Sequence, residues 1–412
     1  MEKFILLLLG LMISFQGWSK KLEVYLDYAS LPSLNMIFDL VEKKDDLEVE
    51  KVVGFERFNL GNDKLQYFPK DKLSFYPVSL QNIEPFSNKL FNTIKDSSDK
   101  VDLVIHTNLD HSLFSLLSIW KKLEPLKDKF EITKLYLYDD GSMNYKKLYE
   151  NRNKDISTIL QSSYQNLGEH LRTYNRDIQD LHSLSRYTWH KFFPTEYILL
   201  RPDYLSIDVK MKPLKDYLSD HVSTMNWERF NQLTQEEKNL FLKIVNFNEE
   251  IYNKLKNNNL NQKTFIFTGT TTWFEDQNER LKNAKLQTKI LNKFLDKNGE
   301  FYLGDDIKVY FKGHPKGGDI NEYILQETGA ENIPANIPFE VLIMTDTLPD
   351  FVGGIMSSVY FSLPTKNISK VVFLSSEKIK NEQDARSEIL SQLMLMLGII
   401  KPEQIIFQNI NE

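Results

Sequence analysis

The chain has no cysteine in its 412 residues. That excludes disulfide staples, a thiol nucleophile and a lipoprotein attachment site, and it fits a chain exported from a bacterial cell. Basic charge is not in excess. Lys and Arg number 51 against 57 Asp and Glu, for a formal net charge of −6. No basic stripe runs along the sequence, so nucleic acid is not expected as a partner. Low-complexity tracts and short internal repeats are also missing. No apolar run reaches the roughly 20 residues that a bilayer-spanning helix needs. What remains is ordinary globular composition: 41% hydrophobic, 12% aromatic and 26% charged. A chain of this length predicts two domains.

The first residues, MEKFILLLLGLMISFQGWSK, place Lys3 before an apolar stretch from Phe4 to Phe15, followed by the small residues Gly17 and Ser19. This is the layout of a secretory signal peptide over 1–19, with cleavage expected after Ser19. The expected location is therefore the bacterial cell envelope, exported or membrane-associated. An uncleaved leader would instead hold the protein on the cytoplasmic face.

Seven short apolar, β-branched or aromatic runs read as buried strands, at 22–27, 102–107, 134–138, 263–269, 307–313, 350–354 and 370–376. Helical periodicity lies between them. Ile290, Leu291, Phe294 and Leu295 share one helix face, with Lys289 and Lys293 on the other. Strands alternating with helices predict parallel sheets covered on both faces. The expected division is a Rossmann-like domain over 20–190 and a second over 191–387, with 388–412 returning to the first. HKFFPTEYILLRPDYL, with Pro194 and Pro202, reads as the linker near 188–205. The Asn-rich KLKNNNLNQK reads as a surface turn.

Polar and glycine clusters repeatedly follow the strand ends: DYAS, HTNLDHS and DDGS in the first half, TGTTTW, KGHPKGG and GGIMSS in the second. Ligands of open α/β sheets bind outside the carboxyl ends of the strands. Asp139, Asp140 and Gly141 stand out at such an end. Two readings apply: a helix start, where Asp caps free N–H groups and Gly allows a tight turn, or a carboxylate base in a cleft. His314 beside Pro315 reads as a turn residue or as a phosphate ligand. Ser357 and Ser358 read as the start of a helix, able to cap it and to bind phosphate oxygens.

YLDYASLPSLN (25–35), YDDGSM (138–143), FIFTGTTTW (265–273), YFKGHPKGG (310–318), IPANIPFEVLIMT (333–345) and GGIMSSVYFSLP (353–364) occur in that order. Together they resemble the bacterial sialyltransferases of glycosyltransferase family 80 over nearly the whole mature chain. The resemblance implies a GT-B architecture: two Rossmann-like domains facing each other across a cleft. It implies inverting transfer of sialic acid from CMP-sialic acid to a terminal galactoside, such as lactose or lipooligosaccharide, with no metal or other cofactor. By this resemblance Asp140 is the general base, and His314 is the acid to the leaving phosphate. Donor contacts fall on Gly269, Lys312, Gly313, Pro315, Glu340, Ser357 and Ser358. Glu340 takes the ribose hydroxyls and Lys312 lies by the cytosine. Acceptor contacts fall on Asn82, His111, Trp273, Arg57, Met143 and Tyr28, with Trp273 covering the acceptor sugar.

Two positions depart from the family pattern. Tyr28 stands where members carry Pro or His, and Lys316 stands where Arg is common, a point charge in place of a bidentate fork. Met143 matches the α2,3 type, so α2,3 linkage is expected, with α2,6 as the alternative. A monomer is expected. The rival readings are an enzyme dominated by sialidase or trans-sialidase activity, and a two-lobed periplasmic glycan-binding protein. The first would require a Tyr nucleophile with an Arg triad, and no clear Arg cluster occurs. The second would have no need of the Asp140 and His314 pair.

Overall fold

The computed structural model describes residues 19–272, 276–375 and 382–410, apart from the side chains of 382–385. The expected leader up to residue 18, and Trp273, lie outside the described residues. No described helix is long and apolar enough to cross a membrane.

The first sheet has seven strands: β1 Lys20–Asp27, β2 Val49–Phe55, β3 Leu73–Pro77, β4 Val101–Asn108, β5 Phe130–Tyr138, β6 Thr195–Leu199 and β7 Val222–Thr224, in the order β3-β2-β1-β4-β5-β6-β7. Pairing from β3 through β5 is parallel. β1 lies inside the sheet and is buried from Leu22 to Asp27, charged Glu23 and Asp27 included, as befits a parallel strand covered on both faces. The order reverses at β1, with β2 on one side and β4 on the other. Loops leaving β1 and β4 therefore diverge at a topological switch point.

The second sheet has six strands: β8 Thr264–Thr268, β9 Lys308–Lys312, β10 Glu331–Asn332, β11 Phe351–Ile355, β12 Ile368–Ser375 and β13 Ile405–Asn409, in the order β10-β9-β8-β11-β12-β13. Every neighbouring pair is parallel. The crossover from β8 to β9 is the helix Gln277–Leu295, which starts where the Asp276 carboxylate accepts the N–H groups of Asn278 and Glu279. Its apolar face buries Ala284, Ile290, Leu291 and Phe294 against Phe265, Phe267 and Phe311. Phe294 stacks on Phe265 at 5.1 Å. Each large side chain buried this way contributes about 1.5–3 kcal/mol.

The chain divides into two compact units. One holds the described residues up to Tyr138 and Ile159–Tyr197; the other holds Asp139–Thr158 and the described residues from Ile198 on. The described part of 388–412 falls in the second unit, where the hydroxyl of Tyr149, from the expected first domain 20–190, donates to Gln392 Oε1 at 2.6 Å, and Ile405–Asn409 is the edge strand beside β12.

All seven expected strands are present. Two other expectations are corrected. The linker near 188–205 contains β6, flanked by Pro194 and Pro202. Proline at a strand border removes no inner ladder donor, so it permits the strand. KLKNNNLNQK is not a turn: all but its last two residues belong to the helix Glu249–Asn261. Its amides bond outward instead of breaking the helix. Asn258 Nδ2 donates to the Tyr310 hydroxyl, and Asn259 Nδ2 to the Thr347 carbonyl at 3.0 Å.

Candidate active site

In the first unit the candidate acceptor residues follow successive strand ends. Tyr28 follows β1, Arg57 β2, Asn82 β3 and His111 β4. Asn82 is exposed and closes a small turn with Ser79 through paired backbone bonds of 3.0 and 3.1 Å. Arg57 is half-buried, with its guanidinium 3.9 Å from the Glu56 carboxylate. Tyr28 is 4% exposed. Its ring meets His111 edge-on at 5.6 Å, and its hydroxyl lies 3.4 Å from Ser115 Oγ.

Under these residues sits a buried network that the sequence reading did not single out. Asp27, the last residue of β1, is fully buried. Its carboxylate accepts from Ser33 Oγ at 2.5 Å and from Asn108 Nδ2 at 3.1 Å. Asn108 Oδ1 in turn accepts the N–H groups of Asp110 and His111 at 2.8 and 3.3 Å. Burial pushes the Asp27 carboxyl up to about 6, against the opposing pull of these hydrogen bonds. Asp110 pairs with the Arg186 guanidinium. The end of β1 thus fixes the backbone that carries His111.

In the second unit the two adjacent acids do different work. Asp139 is fully buried. Its carboxylate accepts from Gly141 N at 3.1 Å, Asn144 Nδ2 at 3.2 Å, Leu200 N at 3.1 Å and the Tyr145 hydroxyl. Burial raises its proton affinity and these donors oppose the rise. Gly141 adopts φ +89°, ψ −138°, just before the helix Ser142–Asn151. Side chains are strained in that region, so glycine is required there. Asp140 lies half-buried between these two anchored neighbours, and Met143 is half-buried in the helix's first turn.

The second sheet gathers its candidates at one edge. The register pairs Thr268 with Lys312 and with Gly354, so β8, β9 and β11 end together. Gly269 N donates to the Lys312 carbonyl at 2.9 Å. A Cβ on Gly269 would lie 2.7 Å from the Phe311 ring, so only glycine fits there. Lys312 is buried, and its ammonium donates to the carbonyls of Pro334 and Ala335 at 3.2 and 3.1 Å. Burial lowers its pKa to about 8, with Glu340 pulling the other way. Glu340 is also buried and accepts from Ser362 Oγ at 3.0 Å. Burial holds its carboxyl above the usual carboxylate range, while Ser362 and Lys312 pull it down.

The loop after β9 presents His314, half-buried, beside exposed Pro315. The backbone N–H of Lys316 donates to His314 Nδ1 at 3.1 Å. A neutral ring therefore carries its proton on Nε2, an arrangement suited to donating to an anion. Ser357 and Ser358 do not open a full helix. Ser358–Phe361 is one 3-10 turn with Ser357 as its extended N-cap, too short for a helix dipole. Ser357 is half-buried and Ser358 exposed.

Sequence reasoning missed Gln287 and Asn321. Gln287, on the crossover helix, accepts Thr270 N–H at 2.9 Å and donates to the Thr270 carbonyl at 3.0 Å. Asn321 donates to the His314 carbonyl at 3.0 Å. Neither lies inside a quoted motif. A signal was present only in retrospect, as polar residues on helix faces that follow glycine loops.

Two α/β sheets built largely of parallel strands, with polar and glycine loops at their carboxyl edges, form an architecture of the GT-B class. The family model described as sialyltransferase PMO188 matches residues 22–405. The solved GT-B domain of the sialyltransferase from Photobacterium damselae is similar at 34% identity and TM-score 0.83, covering 94% of this chain and 99% of that one. A 2,6-sialyltransferase from Photobacterium sp. JT-ISH-224, solved with CMP and lactose, is similar at 32% identity and TM-score 0.85, covering 94% and 78%. An α/β-galactoside α-2,3-sialyltransferase from Photobacterium phosphoreum is similar at 27% identity and TM-score 0.79, covering 94% and 98%. No curated protein matches the chain. The chain belongs to this family, the bacterial sialyltransferases of glycosyltransferase family 80, and is a sialyltransferase.

Proposed function

We propose that the enzyme transfers sialic acid from CMP-sialic acid to a terminal galactoside with inversion, forming an α2,3 linkage, and that it needs no metal. The observation that carries this reading is the division of labour in YDDG. Asp139 spends its carboxylate on four donors, while Asp140 stands between it and a glycine of positive φ. Asp140 is therefore the acid that can serve as base. As the galactose hydroxyl oxygen bonds to the anomeric carbon, its proton passes to the Asp140 carboxylate. The bond from that carbon to the phosphate oxygen breaks, and the Nε2–H of His314 donates to the departing CMP phosphate. Glu340 and Lys312 are the candidate nucleoside contacts, with Ser357 and Ser358 at the phosphate. Asn82, Arg57, Tyr28, His111, Met143 and Trp273 are the candidate acceptor side.

Solved relatives named for both linkages are similar to this chain. The α2,3 choice therefore rests on Met143. The natural acceptor we propose is a galactose-ended lipooligosaccharide. The protein is proposed to work as a monomer at the cell envelope, brought there by its leader, and the mass of the mature N-terminus tests that placement.

The direct test incubates the protein with CMP-sialic acid and lactose and follows CMP release and sialyllactose. Asp140→Asn is expected to lower transfer by about 10²- to 10⁴-fold, the usual worth of a general base. Full transfer by that variant would remove the base assignment. Loss of activity in EDTA, restored by a divalent ion, would overturn the metal-free reading. Nuclear magnetic resonance of the product reads the linkage.

A further inference from the structure

We infer that Asn321 is a positioning residue for His314, holding the loop after β9 so that the imidazole keeps one tautomer and one direction. This rests on the reading of His314 as the leaving-group acid. Asn321 lies one turn into the helix Gly318–Thr328, and its side chain reaches back under the loop. Nδ2 donates to the His314 carbonyl at 3.0 Å, and the same carbonyl accepts Gly317 N–H at 2.9 Å. Both lone pairs of that carbonyl are thus engaged. The backbone at residue 314 is fixed just where Lys316 N–H turns inward to His314 Nδ1 at 3.1 Å.

The carboxamide also explains two glycines. A Cβ on Gly313 would lie 2.1 Å from Asn321 Oδ1, and a Cβ on Gly317 would lie 2.9 Å from it. KGHPKGG is thus shaped around the Asn321 carboxamide. Oδ1 is buried and accepts no hydrogen bond among the described residues. A buried acceptor without a donor is costly. Its presence is understandable if the other end of the amide, the donor to His314, is what the site requires.

The test compares Asn321→Leu, which keeps volume but cannot donate, with Asn321→Ser, which is small and can donate through its hydroxyl. His314→Asn is the reference. Steady-state kinetics with CMP-sialic acid and lactose are combined with nitrogen-15 spectra of histidine-labelled enzyme at a pH where the ring is neutral. The His314 signals are identified by their loss in His314→Asn. For Asn321→Leu, kcat is expected to fall by about 10- to 100-fold, the effect of a small misplacement of a reacting group. The KM for CMP-sialic acid should stay within about twofold of the original. The Nε2–H tautomer signature should give way to a tautomer mixture. Asn321→Ser should retain more kcat than Asn321→Leu, and it carries the same readouts should the leucine variant not fold. Unchanged kcat in both variants, with His314→Asn inactive, would overturn the inference alone. So would a fall in kcat with the tautomer signature intact, which would mark a merely structural role. Full kcat in His314→Asn would instead remove the leaving-group reading, and the inference with it.

Discussion

The turns after β1 and β5 and the turns after β8 and β9 solve one problem with different chemistry. Each must hold a short backbone stretch still while presenting a side chain beside it. After β1 and β5 the anchors are buried carboxylates, Asp27 and Asp139, accepting from side chains and backbone N–H groups. After β8 and β9 the anchors are neutral amides: Gln287 has both ends of its carboxamide on the Thr270 backbone, and Asn321 has one end on the His314 carbonyl. A bond to a charged acceptor is worth about 1.5–3 kcal/mol, against about 1 for a neutral pair. The carboxylate anchor is therefore stronger. It also brings a titratable charge into the interior, and burial raises the proton affinity of both acids. One set of turns is strong and pH-dependent, the other weaker and indifferent to pH.

The largest effect expected from breaking this contrast is at Asp139. Asp139→Ala leaves the N–H groups of Gly141 and Leu200 buried without their acceptor. The loss should be about 3–5 kcal/mol, at 1–3 per orphaned group plus the side-chain donors. Urea unfolding monitored by tryptophan fluorescence reads it as a lowered midpoint. A midpoint within error of the parent would mean that the carboxylate does not anchor this turn.

Asp27 gives the next effect, and its sign is unusual for an aspartate. Its folded pKa, about 6, lies above the ordinary 3.8, so the folded chain binds more protons than the unfolded chain between those values. The contribution is complete below pH 3.8 and is lost as pH rises through about 6. The shift corresponds to about 3 kcal/mol. Asp27→Asn removes the titration. Stability measured across this range should therefore fall more steeply with pH in the parent than in the variant. Parallel curves would contradict the shift.

These anchors differ in how far the sequence revealed them. Strands buried on both faces, such as β1 with its VYL and β8 with its FIF, announce themselves through short apolar runs. β2 did not, because VEKVVGF carries Glu50 and Lys51, although Lys51 is 1% exposed in the fold. A charge buried by tertiary packing looks like a surface charge in one dimension. β6 was hidden by its flanking prolines, and the Asn-rich helix by amides whose partners lie far along the chain. The split between Asp139 and Asp140 was legible only through the resemblance to the family, since the residues alone left a helix start and a cleft base both open. Asn321 and Gln287 were not. Their partners sit 7 and 17 residues away, and no local spacing rule links a helix-face amide to a distant glycine loop.

The smallest effect is also the sharpest test of the contrast, because it converts one kind of anchor into the other. Gln287→Glu puts a carboxyl where an amide now accepts Thr270 N–H and donates to the Thr270 carbonyl and to Asn283 Oδ1. Protonated, the introduced group can still accept with one oxygen and donate with the other, so the turn keeps its anchor. Ionised, it offers only acceptors to two oxygens that already accept. The charged form is disfavoured in the folded chain, so the folded pKa must exceed the unfolded one. The stabilisation is then full at acidic pH and lost as pH rises through the folded value, the same sign as Asp27. About 1–2 kcal/mol should go, the worth of one donated bond and its orphaned acceptor. The urea midpoint of Gln287→Glu should lie closest to the parent in acid, where one of the two donated bonds survives, and fall further below it toward neutrality. An equal deficit at both ends would show that pH indifference in these turns does not come from their neutral amides.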